Sequence, residues 1–125
     1  MKIFLILLLS VFLYAGHSEK KEHHLNKDLS HLDLTSSQKE SVKKLLKDFR
    51  EQLKDFREEK EAIEYRKKEL FKSDNLSASS LEVLNKSIFQ KANAIESEML
   101  IKMHSLLTKE QRVRFARYLD EWEVE

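Results

Sequence analysis

Between residues 35 and 71 apolar side chains return every seven positions, at Val42, Phe49, Phe56, Ile63 and Leu70. Leu46 and Leu53 fill an intermediate row, and Leu46-Lys47-Asp48-Phe49-Arg50-Glu51 recurs as Leu53-Lys54-Asp55-Phe56-Arg57-Glu58. A strict seven-residue repeat predicts a long helix that coils gently against a partner. At 1.5 Å per residue it extends roughly 55 Å. The intermediate row continues as Lys60 and Lys67, so the seam should thin toward the C-terminal end of this helix. Residues 72–80, with Asp74, Asn75 and several serines, suit a turn. There Ser79 and Glu82 offer a capping box, and Ser77 is an alternative cap. Leu81, Leu84, Ile88, Ala92, Ile95, Met99, Met103 and Leu106 follow at spacings of three and four, which predicts a helix folding back antiparallel on the first. Leu25, Leu29 and Leu32 predict a short helix ending near Asp33. Phe115, Leu119 and Trp122, with Ala116 beside them, predict a last helix starting at Thr108. The expected fold is all-α, with a long antiparallel helical hairpin, short flanking helices and four helices within residues 25–125.

A short motif precedes two of these helices. Leu34-Thr35-Ser36-Ser37-Gln38 and Leu107-Thr108-Lys109-Glu110-Gln111 are both Leu-Thr-x-x-Gln. A threonine at the N-cap accepts a hydrogen bond from a free first-turn N–H, and a glutamine three residues on reaches back to the cap's own N–H. Each cap should contribute roughly 1 kcal/mol. The usual hydrophobic staple is missing, because the residues that would meet Leu34 and Leu107 are Lys39 and Arg112. These leucines must pack on something other than their own helices.

The paired motif, with its second copy continuing Arg112-x-x-Phe115, resembles the Spy/CpxP group. That superfamily also includes periplasmic heavy-metal sensor and resistance proteins. The resemblance covers about residues 25–122, marks Leu34, Thr35, Gln38, Leu107, Thr108, Gln111 and Arg112 as motif positions, and implies a homodimer shaped as a curved, cradle-like helical shell. It implies a periplasmic, ATP-independent chaperone or envelope-stress protein, acting on unfolded or misfolded envelope proteins or on a membrane sensor protein. The alternative it implies is a sensor or resistance protein binding copper, zinc or nickel.

The N-terminus agrees with export. Lys2, the apolar run 3–13 and Ala15 read as a signal peptide over residues 1–15. The run is shorter than the roughly 20 residues a spanning helix needs, so no stable membrane insertion is expected after cleavage; an uncleaved anchor is the competing reading. Residues 16–24 read as a polar tail. The 23 Lys and Arg residues oppose 22 Asp and Glu, and loss of Lys2 equalises them. A balanced chain has no overall field to attract nucleic acid. One glycine and no proline favour few, long helices, and the absence of cysteine excludes disulfides and thiolate ligands.

No glycine-rich phosphate loop or cysteine nucleophile is present, and the serines fall in caps and turns, so no enzymatic activity and no required cofactor are expected. Charges such as Glu51 with Asp55 and Glu64 with Lys68 read as a solvated face. Candidate metal ligands are His23 and His24 near the mature N-terminus, and Met99, Met103 and His104 before the second motif. Thioethers favour Cu(I), whereas imidazole suits zinc, nickel and copper. The metal-sensing relatives imply ligands from both regions. Here Met99 stands where they carry a histidine, and His23 and His24 are followed four residues on by Lys27 and Asp28, not by a second histidine. Methionines on an apolar stripe more often pack a core. For client binding, Tyr65 and Phe89 lie off the main stripes and are the candidates for exposed contacts, whereas Phe49 and Phe56 belong to the hairpin core.

Overall fold

A computed structural model of the chain describes residues 29–125. The expected signal peptide, the polar tail, His23, His24 and Leu25 lie outside the described residues. Three α-helices follow one another: α1 (Ser36–Lys72), α2 (Ala78–Leu106) and α3 (Lys109–Ala116). Short 3-10 turns lie at Ser30–Leu32 and Leu119–Trp122. The described residues contain no strand, and no helix among them is long and apolar enough to cross a membrane.

Helices α1 and α2 form an antiparallel hairpin. Gln52 Nε2 donates to Glu98 Oε2 at 2.9 Å, and Lys91 pairs with Glu59. As the number rises on one helix it falls on its partner, which fixes the opposed directions. The buried seam consists of Val42, Leu45, Phe49, Phe56 and Ile63 on α1 against Leu84, Ile88, Ala92, Ile95, Met99 and Met103 on α2. Each of these side chains except Ala92 contributes roughly 1.5–3 kcal/mol on full burial. The seam thins past Ile63 as the lysines of the intermediate row predict, leaving Leu70 and Leu81 only half-buried.

The structure corrects four details. Leu45, not Leu46, is the more deeply buried of the pair. Leu45 and Leu46 each lie three or four residues from both Val42 and Phe49, so they flank that row on opposite sides, and the fold buries the Leu45 side. The turn is shorter than expected, because α1 continues to Lys72 and α2 begins at Ala78. Ser77 is its N-cap, in a capping box with Ser80, not Ser79 with Glu82. The expected first helix is, in its described part, the 3-10 turn Ser30–Leu32, after which Asp33 takes φ 51°. This left-handed geometry is one that aspartate tolerates better than most residues, and it ends any helix there.

The last helix is broken as well. Arg117 N–H donates to Arg114 O at 3.3 Å and Tyr118 N–H to Phe115 O at 3.0 Å, so the final turn tightens to i→i−3 bonding and α3 stops at Ala116. The break swings the 3-10 turn back and lets Trp122 reach Phe49 and Phe115, with ring centroids 6.2 and 5.7 Å apart. Phe115 and Trp122 are buried, but Leu119 is exposed, because the three no longer share one helical face.

Candidate functional site

The two Leu-Thr-x-x-Gln segments meet in space. Both form complete capping boxes. Gln38 N–H donates to Thr35 Oγ1 at 3.2 Å and Thr35 N–H to Gln38 Oε1 at 3.0 Å. Gln111 N–H donates to Thr108 Oγ1 at 3.4 Å and Thr108 N–H to Gln111 Oε1 at 2.9 Å. The two glutamine side chains then pair with each other. Gln38 Nε2 donates to Gln111 Oε1 at 2.8 Å, and Gln111 Nε2 donates to Gln38 Oε1 at 3.1 Å. The second hydrogen of each amide goes to a backbone carbonyl, from Gln38 to Leu106 O at 2.9 Å and from Gln111 to Leu32 O at 3.0 Å.

Every hydrogen-bonding position of both carboxamides is therefore used: two donors and two acceptor sites on each. The orientation of each amide is fixed, since the cap N–H needs an oxygen and the backbone carbonyl needs an N–H. Gln111 is 7% exposed, and a side chain so buried would be costly with any of these bonds missing. This clasp ties the start of α1, the end of α2, the start of α3 and the Leu32 carbonyl into one neutral network at the open end of the hairpin.

Flanking residues close the clasp. Leu32 and Leu107 are buried, whereas Leu34 is half-exposed, so only one of the two motif leucines joins the core and Leu32 takes the equivalent role at the first copy. Arg112 Nε donates to His104 O at 2.9 Å and so covers a carbonyl in the last turn of α2, where a cation also suits the helix dipole. Arg114 reaches Asp33 at 3.2 Å. The paired glutamines have no signature in the sequence beyond the repeat itself. The missing staples were the available signal that the motif looks outward from its own helix.

Away from the clasp, Tyr65 and Phe89 are each 65% exposed and Phe71 is 78% exposed, in contrast to the buried Phe49 and Phe56. Taking Glu59 opposite Lys91 as the register, Tyr65 and Phe89 stand within about one helical turn of the same height along the hairpin. Val83 and Ile101 add exposed apolar surface on α2. Charged residues surround these positions. Lys67 pairs with Glu64 at 3.1 Å, the partner the sequence had suggested being Lys68, and Lys102 pairs with Glu98 at 2.6 Å. Hydrogen bonds from Lys102 and then Gln52 hold the Glu98 carboxyl below the usual carboxylate range, and Lys102 is raised in turn by Glu98.

Of the metal candidates, Met99 and Met103 are buried in the seam at 2% and 0% exposure, while His104 is exposed. The fold thus separates His104 from the two thioethers. No group of three or more His, Asp or Glu side chains is gathered as a metal site among the described residues. Compared with known proteins, the chain matches no family model, no curated protein and no solved structure.

Proposed function

We propose that this protein is an exported, ATP-independent chaperone of the Spy/CpxP kind, working in the periplasm as a homodimer and capturing unfolded or misfolded envelope proteins. The observation that carries the reading is the exposure of Tyr65 and Phe89 on a hairpin whose open end is clasped shut. Two aromatic rings in water at about one height of the hairpin, with Val83 and Ile101 also exposed, would offer apolar contacts to an unfolded chain. Their contacts would be modest and apolar, which suits reversible capture of many sequences. The charged residues around them would speed encounter in a salt-sensitive way. Pairing of two hairpins would cover part of the apolar surface that a thin, single-seam domain leaves open. The repeated Leu-Thr-x-x-Gln motif supports the likeness to the group, and the clasp gives that motif a structural reason. A metal-sensing role is the alternative; with Met99 and Met103 in the core, its ligands would be the exposed His104 together with His23 and His24.

The test is suppression of aggregation of an unfolding test substrate, without ATP, at near-stoichiometric ratios. Raising the salt should slow capture more than it weakens the final complex. Replacing Tyr65 and Phe89 together by serine should reduce suppression while leaving the melting temperature nearly unchanged. Wild-type protein that leaves aggregation unaltered at tenfold molar excess would refute the proposal.

A further inference from the structure

The loop end of the hairpin carries a groove that is separate from the clasp. It is shallow and open, lined by the apolar side chains of Phe71, Leu76 and Leu81 and by Lys67, Lys68 and Lys72. Phe71 and Leu76, at 78% and 39% exposure, stand open to solvent. No carboxylate lines the groove. Lys67 and Lys72 hold Glu64 and Glu69, at 3.1 and 2.6 Å, each three residues back along α1. Such exposed pairs are weak enough to exchange for another anion. Lys68 has no acidic partner among the described residues, so it supplies unbalanced positive charge.

The sequence builds this groove where the heptad seam runs out. Past Ile63 the intermediate row holds Lys67 where the earlier repeats hold Leu46 and Leu53, and its long stem, with those of Lys68 and Lys72 nearby, can carry an ammonium group outward beside apolar surface. The apolar lining and the lysines together select a ligand. A bare phosphate would leave the apolar lining wet. A neutral acyl ester would leave the ammonium groups unused. A nucleic acid offers no apolar chain for Phe71, Leu76 and Leu81. We infer that the groove binds a single-chain anionic amphiphile of the fatty-acid carboxylate type. The acyl chain lies over Phe71, Leu76 and Leu81, and the carboxylate sits among Lys67, Lys68 and Lys72. This inference does not rest on the chaperone reading.

The full chain carrying Phe71→Trp reports on the groove directly. The single native tryptophan, Trp122, is buried against Phe49, roughly 33 Å along α1 from the tip. The probe is a brominated fatty acid held below its micelle concentration. The groove predicts saturable quenching of the tip tryptophan in the micromolar range, with Trp122 emission unchanged. In the same background, Lys67→Glu, Lys68→Glu and Lys72→Glu combined should weaken binding at least tenfold. Leu76→Ser should weaken it severalfold. A brominated, uncharged monoacylglycerol should quench at least tenfold more weakly than the acid. Circular dichroism would establish that each variant keeps its helices. Equal quenching by the uncharged lipid, or quenching that survives the triple charge reversal, would overturn the inference. Quenching seen only with vesicles of brominated phosphatidylglycerol would also overturn it, in favour of bilayer contact. Aggregation suppression does not enter this experiment, so failure here leaves the proposed function standing on its own test.

Discussion

Removing one glutamine from the clasp should cost more than removing a cap. Gln111→Ala deletes the acceptor for Thr108 N–H and for Gln38 Nε2, and the donor to Leu32 O and Gln38 Oε1. Net hydrogen bonds contribute about 0.5–1.5 kcal/mol each, and a buried group left unpaired costs about 1–3 kcal/mol. Some of the freed groups will find water, so the expected loss is about 2–4 kcal/mol. Gln38→Ala should cost less, about 1–2 kcal/mol, because that side chain is half-exposed and its cap lies in solvent. Once either glutamine is gone, the amide pair is gone too, so the double variant should be less destabilised than the sum. A coupling of about 1–2 kcal/mol lies within the range for residues in one network. Urea melts followed by far-ultraviolet circular dichroism, at fixed protein concentration, measure all four corners of this cycle. Gln111→Glu sharpens the test. The carboxylate cannot donate to Leu32 O, so ionisation is disfavoured in the fold and the carboxyl pKa rises there. A raised folded pKa means that the fold binds the proton more tightly, so this variant should gain stability as pH falls, relative to wild type. Additive single losses, together with a Gln111→Glu variant showing no such gain, would refute the reciprocal pairing.

Leu107→Ala should cost about 2–4 kcal/mol and Leu34→Ala under about 1.5 kcal/mol, because only Leu107 is buried; equal losses in denaturant melts would contradict the placement of the first motif. Met103→Ala should cost about 2–5 kcal/mol, whereas Met103→Leu should cost under about 1.5 kcal/mol. Calorimetry in which Met103→Leu abolished Cu(I) binding below 10 µM would reverse the assignment of that thioether to the core. The depressed Glu98 carboxyl stabilises the fold above its ordinary value of 4.5, and this contribution is lost as pH falls through the folded value. Glu98→Gln should therefore flatten the acid limb of the stability curve slightly, and added salt should shrink the difference, since the pair is exposed.

The hairpin was legible because its signals are local. Seven-residue spacing set Phe49, Phe56 and Ile63 on the buried face of α1, and Leu-Thr-x-x-Gln set both capped starts. Tyr65 and Phe89 fell off the apolar rows and are exposed. The pairing of Gln38 with Gln111 was not legible, because it depends on two helix starts meeting in the fold, and each glutamine already had a sufficient local partner in its own cap. The preference for Leu45 over Leu46 was not legible either, because both lie three or four residues from Val42 and Phe49. The break after Ala116 brings Trp122 against Phe49 and Phe115. A continuous spacing of Phe115, Leu119 and Trp122 concealed it.

The central claim is that exposed aromatic side chains on this hairpin recognise unfolded chains. Fluorescence anisotropy of a labelled small protein, kept either native or permanently unfolded, measures this directly. The account predicts saturable binding of the unfolded form, little binding of the native form, and at least tenfold weaker binding by the Tyr65→Ser, Phe89→Ser double variant. Tenfold corresponds to about 1.4 kcal/mol, a modest demand on two aromatic contacts. Equal affinity for native and unfolded forms, or a double variant that binds as tightly as wild type, would contradict it.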